Sequence, residues 1–232
     1  MTARFHIRRQ PFQRDETGTT MVEFAICISL YLLIFFAVLD FGRLAYNWVM
    51  AEKAMQRAAR IASVRAPICT GVPSTNLRAD ITDTTFPSGT VCRASAGLCF
   101  AVNPAPCTLS NANAANPEAV QTASEIWTAV RPMLPDNATN ANVLIRYEFD
   151  PQLGFLGGPY TPLITAELVG PTSDSGETFG DFTFTFVTPL SALASASGAQ
   201  NTNGIPTEGA TIPFPAISTT LPAEDLNVGG RG

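Results

Sequence analysis

Residues Met21 to Gly42 read MVEFAICISLYLLIFFAVLDFG. From Phe24 to Leu39 the run is apolar apart from Ser29 and Tyr31. With Met21, Val22 and the turn after Leu39 it reaches the roughly 20 residues that a helix needs to cross a bilayer. No polar face recurs every three or four positions, so the run is not the stripe of a surface helix. Four arginines (Arg4, Arg8, Arg9, Arg14) and His6 precede it. The positive-inside rule keeps that end in the cytoplasm and exports the chain after about residue 45. A secretory signal peptide has a shorter apolar core, roughly 7 to 15 residues, ending at small residues. Here the run passes directly into Asp40-Phe41-Gly42-Arg43, which disfavours cleavage behind it.

Charge divides along the same line. Of 232 residues only 14% are charged, against roughly 25% in an ordinary soluble domain. Residues 1–66 hold nine basic and five acidic groups, net +4; the rest hold five Arg and fourteen acids, net -9. The two ends of the chain therefore suit different surroundings. One His and one Lys leave almost nothing for imidazole triads, histidine metal clusters or Schiff bases. The acidic balance excludes a basic nucleic-acid-binding module. The expectation is a protein that is not an enzyme and carries neither cofactor nor metal.

Glu23 is the chemical oddity of the apolar segment. An ionisable group there costs on the order of 2.5 to 3.5 kcal/mol near the bilayer centre, and less toward the edge. Such a group calls for a function and a partner. The stretch RRQPFQRDETGTTMVEFAICISLYLLIFFAVLDFGRLAYN sets a basic leader before Gly18, with Glu23 as the fifth residue after the glycine and Phe24 following it. This resembles the class III leader of type IV pilins and pseudopilins. Thr20-Met21-Val22-Glu23-Phe24-Ala25 and Asp40-Phe41-Gly42-Arg43 resemble the TadE-like family of the tight-adherence (Tad) pilus. The downstream half is similar as well, weakly between residues 70 and 115.

The resemblance implies cutting between Gly18 and Thr19 by a prepilin peptidase of the inner membrane. It also implies assembly with other Tad pilins or pseudopilins on an inner-membrane platform. In pilins the new amino terminus and the Glu are thought to pair between neighbouring subunits, so Glu23 and Phe24 become assembly residues. Gly18, lacking Cβ, is expected to admit the protease and to interrupt helix propagation before the apolar segment. The location implied is the inner membrane, single-pass, with the C-terminal part periplasmic or extracellular, in the membrane or the pilus. A tethered adhesion or binding module that never enters a filament is the alternative, and processing at Gly18 separates the two.

Helical periodicity continues past the membrane. Ala51, Ala54, Met55, Ala58, Ala59, Ile61, Ala62 and Val64 share one stripe, with charged residues largely opposite. A helix from Thr19 to Arg65, ended by Pro67, would be roughly 70 Å long. Gly42 is the one place inside it where a kink is expected. The fold class is α+β and pilin-like: a long N-terminal helix, transmembrane in its first half, packed on a small antiparallel sheet with disulfide-stapled loops. The organisation is a leader over 1–18, a membrane helix over 19–44, its exported extension over 45–66, and an exported domain over 67–232 with a flexible Gly229–Gly232 tail.

Cys27 reads as a buried small hydrophobe in the membrane helix. Cys69, Cys92, Cys99 and Cys107 lie on the exported side, where disulfides form, and three connectivities are open. Zinc is the weaker reading, since there is no CxxC pair and no nearby His. A helix is predicted over Pro117–Met133 with Asn116 as its cap. Strands are predicted over Asn142–Phe149, Leu163–Val169 and Phe179–Val187, followed by a loop over residues 190–204 and an extended Pro-rich end. Gly154-Phe155-Leu156-Gly157-Gly158 lacks the Lys-Ser/Thr of a phosphate loop and reads as a turn. Glu148 with Asp150, and Asp174, Glu177 and Asp181, read as solvated acids; the second group is a weak calcium candidate. Asp40 and Arg43, spaced i, i+3, are placed to pair at the membrane boundary, with Tyr46 and Trp48 in an aromatic belt.

Overall fold

The computed structural model describes residues 16–80, 82, 85–103, 106–170, 180–186, 188, 211–224 and 226. The chain divides into two compact units, residues 1–42 with 186–210, and residues 43–185 with 211–232. Helix α1 (Glu16–Val64) runs without interruption through Gly42. It also runs through Gly18, contrary to expectation. A glycine costs only about 1 kcal/mol in a helix interior, and each further residue of a long helix adds a hydrogen bond without a new nucleation penalty.

In the first unit α1 is exposed along most of its apolar run. Its most apolar eighteen-residue window has a mean hydropathy of 2.6 and none of it is buried. The helix is therefore long and apolar enough to cross a membrane. Ser29 fits this environment because its hydroxyl donates to the Ala25 carbonyl at 2.7 Å, one turn back. Cys27, expected to be buried, is exposed along with most of this run, because no other part of the described chain covers it.

In the second unit the alanine stripe is closed from solvent: Ala51, Ala54, Met55, Ala58, Ala59 and Ala62 are fully buried. Small side chains let the helix backbone lie close to the sheet it covers. Among the described residues that sheet has the order β1 (Cys107–Thr108), β2 (Val143–Glu148), β3 (Leu163–Leu168) and β6 (Ile217–Pro222), antiparallel throughout. Register sorts the side chains by face. Val143, Ile145 and Tyr147 pair with Leu168, Ala166 and Ile164 on one face, while Leu144, Arg146 and Glu148 pair with Glu167, Thr165 and Leu163 on the other. The first set is fully or nearly fully buried and forms the inner face. Strands β4 (Thr183–Thr185) and β5 (Thr211–Pro213) make a separate ladder. Phe182 and Phe184 are buried against Phe214 there, as the alternating aromatic pattern predicts.

Helix α2 (Pro117–Val130) starts where predicted, with Asn116 Oδ1 accepting from the Glu118 N–H at 3.0 Å. It yields to a 3-10 turn over Arg131–Met133. The predicted strand over Phe179–Val187 shortens to β4; Phe179 and Val187, the loop over 190–204 and the Gly229–Gly232 tail lie outside the described residues.

Two disulfides staple the loops. Cys69–Cys107 joins the end of α1 to β1, and Cys92–Cys99 closes a short loop. Zinc coordination by these four is thereby displaced. Cys92, Leu98, Cys99 and Leu156 form a small satellite core with Phe86 and Phe149 against it. The glycine-rich segment is the turn that supports this core. Gly154 and Gly157 have φ near +77°, and a Cβ at Gly158 would sit 2.2 Å from the Phe155 ring.

Candidate functional site

Gly18, Thr19, Glu23 and Phe24 all lie on α1, within its first two turns or so. Gly18 is surrounded by open space, with nothing within 4 Å of where a Cβ would stand. Thr19 and Glu23 are one turn apart on the same side of the helix, and Glu23 is exposed. Around them the surface is apolar, with Met21 75% and Phe24 66% exposed. A carboxylate on such an apolar surface calls for a cation to pair with.

The exit of the apolar segment is organised by contacts that the sequence did not predict. Asp40 is fully buried and accepts a hydrogen bond from the Thr188 hydroxyl. Phe41 meets the Phe186 ring edge-to-face at 5.9 Å between centroids. Both belong to the first unit, so a segment about 150 residues downstream returns to the helix there. The only sequence signals were a carboxylate ending an apolar run and a distant Phe-Thr pattern. In the second unit the Arg43 guanidinium sits 5.9 Å from the centre of the Phe184 ring, within range for a cation–π contact. Tyr46 and Trp48 are exposed, as an aromatic belt would be.

The remaining candidates resolve into local structure. Glu148 pairs with Arg146 at 3.6 Å. Asp150 accepts from the Gln152 N–H at 2.8 Å, a turn contact. Asp181 is exposed, while Asp174 and Glu177 lie outside the described residues. Among the described residues no three Cys, His, Asp or Glu side chains converge as a metal site. Among the described residues Tyr147 and Tyr160 are the two clearly perturbed by burial. Burial pushes both phenols up, Tyr160 to about 12 and Tyr147 further.

A long helix that is bare and apolar at one end and packed on an antiparallel sheet at the other is a pilin-like arrangement, with one end long and apolar enough to cross a membrane. Residues 18–60 match the family model described as TadE-like protein. All of them lie in α1, and they include Gly18, Thr19, Glu23, Phe24 and Asp40. The match bears out the TadE-like resemblance of this helix and points to a protein associated with the Tad pilus and a membrane. Comparison with curated proteins and with solved structures returned no match.

Proposed function

We propose that the chain is a structural minor pilin or pseudopilin of the Tad pilus, cut by prepilin peptidase between Gly18 and Thr19, with no enzymatic role. One observation carries this reading: the TadE-like segment presents an uncovered apolar helix surface with a lone carboxylate, Glu23, one turn after the cleavage candidate. Lipid covers that surface before assembly, and neighbouring helices cover it afterwards. A new amino group at Thr19 supplies the cation that a carboxylate in lipid needs, because each charge offsets the other's desolvation. In the inner membrane the N-terminus faces the cytoplasm and residues 45–232 face outward. The partners are the peptidase, the other Tad pilins or pseudopilins and the assembly platform.

N-terminal sequencing of the chain from sheared pili and, separately, from membranes tests the proposal. A mature chain starting at Thr19 in both fractions is expected, and Gly18→Leu should block the cut. A full-length chain confined to membranes would refute the proposal and favour a tethered binding or adhesion module.

A further inference from the structure

Lys53, Arg57 and Arg60 stand exposed on one stripe of α1, at spacings of four and three. Among the described residues none of the three has a carboxylate within ion-pair distance, whereas Arg65 on the same helix pairs with Glu125 at 3.3 Å. Like charges at these spacings repel one another along a helix. The stripe also works against the orientation signal, because it places cations on the exported flank of a membrane helix. Glu52 offsets only one of the three. A feature that is costly within one chain calls for a counter-charge outside it.

The counter-charge is present on the far side of the same unit. On the outer face of the sheet Glu148 and Glu167 are joined by Asp181, which lines a cleft with Arg146, Glu167 and Leu144. Three carboxylates against one guanidinium leave this face net negative. α1 is fastened to the opposite, inner face. The Ile68 N–H donates to the Tyr147 hydroxyl at 3.2 Å, and Cys69 is bonded to Cys107, whose register partner is inner-face Ile145. The stripe and the acidic face therefore lie on opposite sides of the sheet and meet only between two molecules.

We propose that the Lys53–Arg57–Arg60 stripe of one copy docks on the Glu148–Glu167–Asp181 face of a second copy. A groove between α1 and α2, lined by Arg57, Val120, Gln121, Ser124 and Glu125, gives the contact a partly apolar floor beside its cations; its one carboxylate, Glu125, is taken up by Arg65. Because the two surfaces differ, the contact is heterologous, and each copy keeps one free surface of each kind for the next. Copies thus add head to tail. The inference rests on the structural-subunit reading above and names one of its partners as the chain itself.

The test uses the full chain in cell envelopes, in a Cys27→Ser background, with two differently tagged copies. One carries Arg57→Cys and the other Glu167→Cys, and a short bis-maleimide links them. A mixed-tag dimer is expected, about tenfold weaker when Lys53→Glu and Arg60→Glu are added to the first copy, and restored in part by Asp181→Lys on the second. Washing the envelopes in about 1 M salt, where screening shortens to about 3 Å, should reduce it similarly. Glu148→Cys reports on the same face if the Glu167→Cys chain does not accumulate. No mixed-tag product, equal linking between two Arg57→Cys copies, or indifference to charge reversal would overturn the contact. Sequencing the same samples separates the two readings. Product formed by chains that still carry the leader and never reach pili supports the contact and removes the pilin role. Chains starting at Thr19 in pili without mixed-tag product do the reverse.

Discussion

Replacing Tyr147 by Phe should weaken the second unit in a way that changes with pH. Tyr147 is fully buried on the inner face of β2, and its hydroxyl accepts the N–H of buried Ile68, just past the end of α1. Tyr147→Phe leaves that N–H without its acceptor, at a cost of about 1 to 3 kcal/mol. At about 2 to 4 °C per kcal/mol for a chain of this size, a central loss of about 2 kcal/mol lowers Tm by about 4 to 8 °C. Burial also holds the phenol far above its ordinary 10.0, with the Ile68 N–H pulling weakly the other way. The folded chain thus keeps a proton that the unfolded chain surrenders above about pH 10. The stability tied to this neutral phenol is intact below that pH and falls as pH rises, by about 1.4 kcal/mol per pH unit. Tyr160, pushed to about 12, adds a decline between about pH 10 and 12 in both proteins. The Phe variant should start lower at pH 8 and fall less steeply between about pH 10 and 11. Urea unfolding of the full chain in detergent, in a Cys27→Ser background that limits thiol exchange, measures both quantities. Equal slopes, or equal stability at pH 8, would refute the reasoning.

Opening Cys69–Cys107 by a double Ser substitution should cost roughly 4 kcal/mol on chain-entropy grounds, against roughly 2.5 for Cys92–Cys99, because the separations are 38 and 7 residues; denaturant midpoints of the two variants give the order. Gly154→Ala forces a Cβ to 2.4 Å from Asn76 Nδ2 at φ +77. It should cost about 1 to 3 kcal/mol and disturb the Asn76–Pro159 hydrogen bond, visible as faster proteolysis of the 154–160 turn. Glu23→Ala should leave insertion and leader processing nearly unchanged while reducing pilus assembly; normal piliation in the mutant, counted by shearing and blotting, would remove the proposed pairing.

The parts legible in the sequence are those whose pattern is local. The apolar run and the alanine stripe are periodic along one helix, so α1 was readable to within three residues of either end. The Asn116-Pro117 cap marks α2, and the alternation in Val143–Glu148 and Leu163–Leu168 marks β2 and β3. Strand β6 was read only as an extended end, because Ile217–Pro222 takes its identity from its pairing with β3. The two-residue β1 exists only through its ladder with β2 and its disulfide. Disulfide connectivity was open for the same reason: Cα separations of 5.5 and 5.3 Å are products of the fold, not of spacing along the chain. The Thr188–Asp40 hydrogen bond and the stacking of Arg43 on Phe184 join residues more than 100 positions apart, beyond any periodicity.

The Cys69–Cys107 bond has a mechanical consequence. A pull along α1 is taken up in the second unit by the buried alanine stripe, and whatever passes the helix end at Val64 reaches Cys69 five residues later. There the covalent cross-link offers a direct route to β1 and the sheet. Tension that passes Cys69 has a covalent route across that bond which bypasses the residues between 70 and 106. That stretch, with its own Cys92–Cys99 staple, lies off the covalent line from α1 to the sheet.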